Sequence, residues 1–282
     1  MAYKSILTIA TDAARAAPAV AAAAGLARAQ DGHLEMLALG IDRTQIGYSY
    51  VGAGTVLMQA AMERAEADAR AVEAAMRAAA EAQGPGLRWS AESAVAQIGG
   101  LADLVALRAR FADLVVLPRP YGPDLGPEDE ATLEAALFEG KAPVLVLPEP
   151  LRDKTPEGRR ILLAWNQGAE AMSAARRALH FLRAAETVSI TVVDPPAHGP
   201  ERSDPGGLLC QMLVRHGVRA EVSVLARTLP RVSDVIARHA RDMDADLIVM
   251  GAYGHSRLRE AILGGATRNM LEQAEVPVFM AH

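Results

Sequence analysis

Short apolar runs alternate with longer stretches of helical periodicity along the chain. In the second half, apolar runs predict strands at about 161–164, 188–193, 220–225, 247–250 and 278–281. Apolar residues at every third or fourth position predict helices at about 169–184, 207–216, 232–242 and 267–274. Runs such as Leu247-Ile248-Val249-Met250 are apolar without alternation, so helices should cover both faces of the sheet. The pattern predicts a doubly wound parallel sheet.

The two halves of the chain resemble each other. Ala112-Asp113-Leu114-Val115-Val116-Leu117-Pro118 matches Ala245-Asp246-Leu247-Ile248-Val249-Met250-Gly251. About 25 residues after each segment, Ala142–Leu147 matches Val276–Ala281. A repeat this long indicates duplicated domains rather than a solenoid. We therefore predict one α/β domain at residues 1–149 and another at 159–282.

The segment between the halves has the composition of a linker. Pro148–Gly158 contains three prolines and mixed charge, without apolar periodicity. The first half differs from the second in a segment at 42–56, either a lid or a mobile loop, and in a helical stretch at about 57–82.

Composition narrows the classes of function. The chain of 282 residues is 51% hydrophobic but only 4% aromatic, which favours helices packed on a sheet over a β-sandwich. The net charge of −5 offers no broad basic surface for nucleic acid. Cys210 is the only cysteine, so an intrachain disulfide, a CxxC pair and a multi-cysteine zinc site are excluded. Neither a signal peptide nor a transmembrane span is predicted, so we expect a cytoplasmic protein without membrane partners.

A glycine-rich loop follows the fourth predicted strand of the second half. Gly251 closes that strand, Gly254 permits a turn, and Gly264-Gly265 precede the last helix. Glycine exposes backbone N–H groups, and a helix start near Thr267 adds free amides with partial positive charge. The loop is placed to hold a phosphate chain, although glycines after a strand also make ordinary tight turns.

The spacing of these glycines resembles the ATP-binding signature of the universal stress protein (UspA) family. The shared features are Gly-x-x-Gly, nine residues, then Gly and a small residue, between Asp246–Gly251 and the PV-type final strand. The resemblance implies an α/β, Rossmann-like fold: two tandem doubly wound five-stranded parallel sheets of order 3-2-1-4-5. It also implies ATP, with or without Mg²⁺, between the first and fourth strands.

The resemblance assigns a ligand position to twelve residues. The phosphates would contact Gly251, Gly254, Gly264, Gly265, Ala266 and Thr267, with His255 in the same loop, whereas the base and ribose would contact Ala164, Trp165, Asn166, Val192 and Met250. Two residues depart from the family pattern. Gly265 stands where Ser or Thr is usual, and Asn166 stands where a carboxylate is common. We predict neither a catalytic residue nor a resident metal.

The first half lacks the loop chemistry at the matching place. Pro118 has no N–H and cannot replace Gly251, and three further prolines follow it. Asp124, Glu128, Asp129 and Glu130 would repel phosphate, and an acidic helix start is their ordinary explanation. We therefore interpret the first domain as degenerate.

The resemblance also implies partners and a role. The last strands of the domains, Val144–Leu147 and Val278–Ala281, should pair within the chain, which would protect two apolar edges. Whole chains are candidates for homodimers. The expected function is ATP binding in the C-terminal domain for stress response or regulation. The alternatives are a nucleotide-free interaction module and a slow ATPase, the latter without a P-loop lysine.

Overall fold

The computed structural model describes residues 3–43, 53–97, 99–122, 125–148, 158–195, 198, 203–252 and 265–282. The chain divides into a first unit, Ala2–Ala142, and a second unit, Pro143–His282. Each unit combines parallel strands with helices, as the sequence predicts.

The first unit contains four parallel strands in the order β3-β2-β1-β4. The strands are β1 (Ser5–Ala10), β2 (His33–Asp42), β3 (Arg88–Gln97) and β4 (Leu114–Pro118). The helices are α1 (Ala13–Ala29), α2 (Ala53–Ala82), α3 (Leu101–Ala109) and α4 (Pro127–Glu134), the last continued by a π-helical turn at Ala135–Glu139.

The second unit has the strand order β5-β10-β9-β6-β7-β8. Its strands are β5 (Val144–Leu147), β6 (Arg160–Ala164), β7 (Thr187–Val193), β8 (Ala220–Leu225), β9 (Leu247–Gly251) and β10 (Val278–Ala281). Its helices are α5 (Ala169–Arg177), α6 (Leu179–Ala184), α7 (Gly207–Arg215), α8 (Val232–Asp242) and α9 (Ala266–Gln273). The order β8-β7-β6-β9-β10 is the expected 3-2-1-4-5 arrangement.

Strands β5 and β10 pair with each other, as predicted, and the structure shows that they run antiparallel. Val278 lies opposite Val146, and Met280 lies opposite Val144. All residues of both strands are at most 3% exposed, so neither strand leaves an apolar edge in water. This pairing groups β5 with the second unit, although the repeat in the sequence assigns it to the first domain.

Helix α2 is the main difference between the units. It has 30 residues and begins at Ala53, four residues before the predicted start, whereas α7 has 9 residues. Its buried face consists of residues spaced three or four apart, namely Ala65, Ala69, Val72, Met76 and Ala80. Most of these side chains are small, so α2 lies close to β2. The predicted segment at 42–56 is shorter than expected because β2 extends to Asp42 and α2 begins at Ala53. Residues 44–52 lie outside the described residues.

The predicted helix at 169–184 consists of two helices. Ala178, with φ −81° and ψ 0°, separates α5 from α6. The apolar periodicity continues across this residue, which is why the sequence predicts a single helix.

The repeated Ala-Asp dipeptides have the same structural role in both units. Asp113 Oδ2 accepts hydrogen bonds from the backbone N–H groups of Lys4 and Ser5, at 2.8 and 3.0 Å. The carboxylate of Asp246 accepts from the N–H groups of Arg159 and Arg160, at 2.9 and 3.0 Å. Each carboxylate joins the start of the fourth strand of its half to the start of the first. Both lie at the amino ends of the strands, away from the predicted ligand site.

Candidate functional site

Three adjacent parallel strands end at the same edge of the second unit. Leu163 of β6 lies opposite Val249 of β9, and Ala164 lies opposite Thr191 of β7. The backbone N–H of Trp165 donates to the Thr191 carbonyl at 2.9 Å, which continues the β6–β7 pairing beyond the strand. The predicted residues that end or follow these strands, Ala164, Trp165, Asn166, Val192, Met250 and Gly251, are therefore brought together at one carboxyl edge. Doubly wound sheets bind ligands at such an edge.

Three of the side chains at this edge are apolar and buried, and one neighbouring side chain is polar and exposed. Trp165 and Met250 are each 6% exposed, and Val192 is 3% exposed. Trp165 is thus part of the core, whereas Asn166 is exposed. Apolar side chains with a single amide nearby suit a flat, mostly apolar ring that carries polar edge atoms.

A local turn orients the Asn166 side chain. Asn166 Oδ1 accepts a hydrogen bond from the Gly168 N–H at 3.0 Å, and Gln167 between them has a φ of +64°. Asp12 makes a hydrogen bond of the same spacing in the first unit, where it is the N-cap of α1 and its Oδ1 accepts from the Ala14 N–H at 2.9 Å. With Oδ1 engaged by Gly168, the NH₂ group is the part of the Asn166 amide that can donate.

Gly251 allows the first turn of α5 to approach the end of β9. A Cβ at this position would lie 2.5 Å from the backbone nitrogen of Ala171 and 2.7 Å from the carbonyl carbon of Glu170. Backbone atoms cannot yield as a flexible side chain can, so packing alone requires glycine here. The sequence pattern assigns this glycine only to the end of the strand and to the phosphates.

We expect Gly251→Ala to destabilise the second unit by about 1–3 kcal/mol, because the added methyl group must displace α5 from β9. Urea unfolding of the full chain measures the loss. Unchanged stability in this variant would contradict the close packing of α5 against Gly251.

The start of α9 carries the remaining described site residues. Gly265 is the N-cap, with φ −62° and ψ 157°, and it makes no side-chain capping hydrogen bond. Ala266 is exposed, and Thr267 is 3% exposed. Because β9 and β10 are parallel, the helix that connects them begins at the carboxyl edge of β9. The start of a helix carries a partial positive charge, which makes this end suitable for an anion.

Part of the predicted loop lies outside the described residues. Gly254, His255 and Gly264 fall in this stretch, which spans 253–264. Their predicted contacts with phosphate stay predictions.

The C-terminal residue contacts the start of the glycine loop, which the sequence did not indicate. The Ala252 N–H donates to the Ala281 carbonyl at 2.9 Å, and His282 Nδ1 lies 3.0 Å from the Ala252 oxygen. Ser173 Oγ of α5 lies 3.5 Å from the His282 oxygen. These contacts fix the backbone directly after Gly251. No sequence motif predicts these contacts, because they depend on how β9, β10 and α5 pack together.

Asp194 and Cys210 also carry side chains that could take part in chemistry, but their surroundings are those of structural residues. Asp194 follows β7 with a φ of +49°, and its N–H donates to the Leu225 carbonyl at 2.9 Å, as expected of a turn residue. Burial raises the pKa of the Cys210 thiol, and the nearby Asp204 carboxylate raises it further. Cys210 is therefore a poor nucleophile. Within the ranges that the structure describes, no three His, Cys, Asp or Glu side chains are grouped to hold a metal ion.

The sequence of the second unit matches a known family model. The match is to the universal stress protein family, and it covers residues 158–282. Residues 158–282 belong to this family. The match begins just before β6 and includes each element that forms the candidate site.

The sequence is also similar to an individual universal stress protein. The chain is 28% identical over 158 residues to universal stress protein Slr1230 from Synechocystis sp., which covers 53% of this chain. The alignment spans 50% of the length of that relative.

Two solved structures share the fold over the full length. A universal stress protein from Archaeoglobus fulgidus aligns with a TM-score of 0.70 at 15% identity, covering 98% of this chain and 96% of that one. A putative universal stress protein from Pseudomonas aeruginosa aligns with a TM-score of 0.60 at 17% identity, covering 99% and 93%. At these identities the likeness concerns the fold. Among the described helices, none has both the length and the apolarity needed to cross a bilayer.

Proposed function

We propose that the universal stress protein domain binds an adenine nucleotide, ATP, at the carboxyl edge of β6 and β9, and that this binding serves stress response or regulation. The observation that carries the proposal is the convergence of three strand ends, β6, β7 and β9, on the edge where α9 begins. The family resemblance supplies the identity of the ligand. A cytoplasmic location belongs to the same proposal.

In the proposed complex, the base lies against the buried side chains of Trp165, Val192 and Met250, beside the Asn166 amide. The phosphates lie toward the first turn of α9, at Gly265, Ala266 and Thr267, and along the loop that contains Gly254, His255 and Gly264. The helix start and the loop would contribute backbone N–H donors there. Gly265 brings no side chain to this helix start, so a phosphate oxygen would be the group that caps it.

We expect Asn166→Asp to raise the affinity for ATP relative to GTP by about fivefold, roughly the value of one hydrogen bond. One aspartate oxygen can keep the bond from Gly168, and the other can accept from the exocyclic amine of adenine. Guanine presents a carbonyl oxygen at that position, which a carboxylate repels. Calorimetric titration with each nucleotide measures the ratio.

Gln167→Glu is the matched control, because it adds the same charge one residue later on an exposed side chain. An equal rise in the ratio in both variants, or none in Asn166→Asp, would show that Asn166 does not contact the base.

A second candidate is a nucleotide-free interaction module. It is favoured by two large apolar side chains at the start of α2, Val56 at 70% and Leu57 at 67% exposure. Failure to bind ATP at millimolar concentration would make this candidate the leading one.

A further inference from the structure

A small cavity marks the carboxyl edge of the first unit. It lies between the ends of β1 and β4 and has a volume of about 20 Å³, enough for about one water molecule. Its lining includes Asp12, Arg15, Pro118, Asp129 and Thr132. The place in the first unit that corresponds to the nucleotide site of the second is therefore almost filled by the chain's own side chains.

The main contact that fills this place is an ion pair between α1 and the first turn of α4. Arg15 Nη1 lies 3.3 Å from Asp129 Oδ1, and Arg15 Nη2 donates to the Arg119 carbonyl at 3.3 Å. Asp129 Oδ2 accepts from the Gly126 N–H at 3.2 Å, which caps the helix. The side chains of Arg15 and Asp129 are only 22% and 14% exposed. An anionic group thus sits at a helix start between a guanidinium and a backbone amide, the donors that a bound anion would use.

The neighbouring acidic residues of α4 are engaged as well. Glu128 is 6% exposed and pairs with Arg43, which directly follows β2. Tyr121 donates its hydroxyl to Glu130 at 3.1 Å. Each of the three carboxylates in the first turn therefore has a partner inside the unit.

In the second unit the corresponding helix is α9, and its first turn lacks the acidic residues of α4. Both helices have a glycine N-cap in extended conformation, Gly126 in α4 and Gly265 in α9. The third residue after the cap is Asp129 in α4 but Arg268 in α9. Arg268 pairs with Glu272 of its own helix at 2.9 Å and is half exposed. No carboxylate of the first turn of α9 takes the role that Asp129 has in α4.

Burial raises the pKa of Asp129, and this effect outweighs the opposing influence of Arg15 and the Gly126 amide. Glu128 also raises this pKa. The carboxylate is thus withdrawn from water at a cost, which is typical of a group that fills a cleft rather than one on a solvated face.

We propose that Asp129 is a built-in anionic ligand of the first unit: its carboxylate occupies the position between Arg15 and the start of α4 that a phosphate or carboxylate anion would otherwise take. The first unit is thereby closed to anions. This inference stands on contacts of the first unit and is independent of the function proposed for the second.

Removal of the Asp129 carboxylate is expected to create an anion site. In the full chain, Asp129→Ala removes the carboxylate that Arg15 and the Gly126 amide contact, and inorganic phosphate is the probe. Thermal unfolding is compared in 100 mM phosphate and in sodium chloride of equal ionic strength. The phosphate-dependent rise in Tm should be roughly 2–4 °C larger in Asp129→Ala than in the unaltered chain. The comparison with the unaltered chain removes the general stabilisation that phosphate gives to folded proteins.

Two controls decide between a specific site and a general effect of charge. Glu130→Ala removes the same charge one residue later and should show no extra gain, and Arg15→Ala combined with Asp129→Ala should lose the gain. An equal rise in Asp129→Ala and the unaltered chain, or an equal gain in Glu130→Ala, would overturn the proposal. If Asp129→Ala does not fold, Asp129→Ser, whose shorter side chain also vacates this position, replaces it under the same criteria.

Discussion

Substitution of Gly40 by alanine is expected to destabilise the first unit by about 3 kcal/mol or more, at the upper end of the cost of overpacking. Gly40 lies in β2, where α2 crosses closely. A Cβ there would lie 1.8 Å from the carbonyl oxygen of Ala65 and 2.7 Å from its carbonyl carbon. The obstructing atoms belong to the backbone of a long helix, so relief requires α2 to move away from the sheet.

The measurement is urea or thermal unfolding of the full chain. At about 2–4 °C per kcal/mol, the expected fall in Tm is roughly 6–12 °C. Gly99→Ala is the matched control in the same unit, because a Cβ there meets no atom within 4 Å and the residue has no positive φ. If Gly40→Ala were as stable as Gly99→Ala, the close packing of α2 on β2 would be wrong.

Substitution of Gly254 by glutamate is expected to weaken ATP binding by about a hundredfold or more, which corresponds to about 2.8 kcal/mol. In the proposed complex, the backbone of the glycine loop contacts the phosphates. A glutamate there adds a side chain where N–H groups should be open and places a carboxylate beside the triphosphate. Both effects oppose binding of the phosphates.

Gly99→Glu is the control for charge, since it adds the same side chain at an exposed position of the first unit. Calorimetric titration with ATP should give unaltered affinity in this control. Equal affinity of Gly254→Glu and the unaltered chain would exclude phosphate contact with this loop.

Much of the fold could be predicted from the sequence because its apolar runs are short and well separated. The strands at 220–225 and 278–281 and the helix at 232–242 have the predicted limits. The pairing of Val144–Leu147 with Val278–Ala281 also followed the prediction, since two apolar strands need cover. Errors at element boundaries arose where periodicity gives no stop signal, as at Ala178 between α5 and α6.

The site could be predicted only in part. The strand-end residues Ala164, Val192 and Met250 lie at one edge because parallel pairing dictates it. The contact of Gly251 with α5 and the pairing of Arg15 with Asp129 could not be predicted, since each joins residues that are distant in sequence. The acidic start of α4 was recognised, but its carboxylates are partners of Arg15, Arg43 and Tyr121, which the sequence alone does not reveal.

Calorimetric titration of the intact chain with ATP and Mg²⁺ tests the central claim most directly. The account predicts one nucleotide bound per chain, because the second unit brings three strand ends and the start of α9 to one edge, whereas Asp129 fills the corresponding place in the first unit. Two nucleotides per chain would contradict the closure of the first unit. The absence of binding at millimolar ATP would contradict the nucleotide site itself.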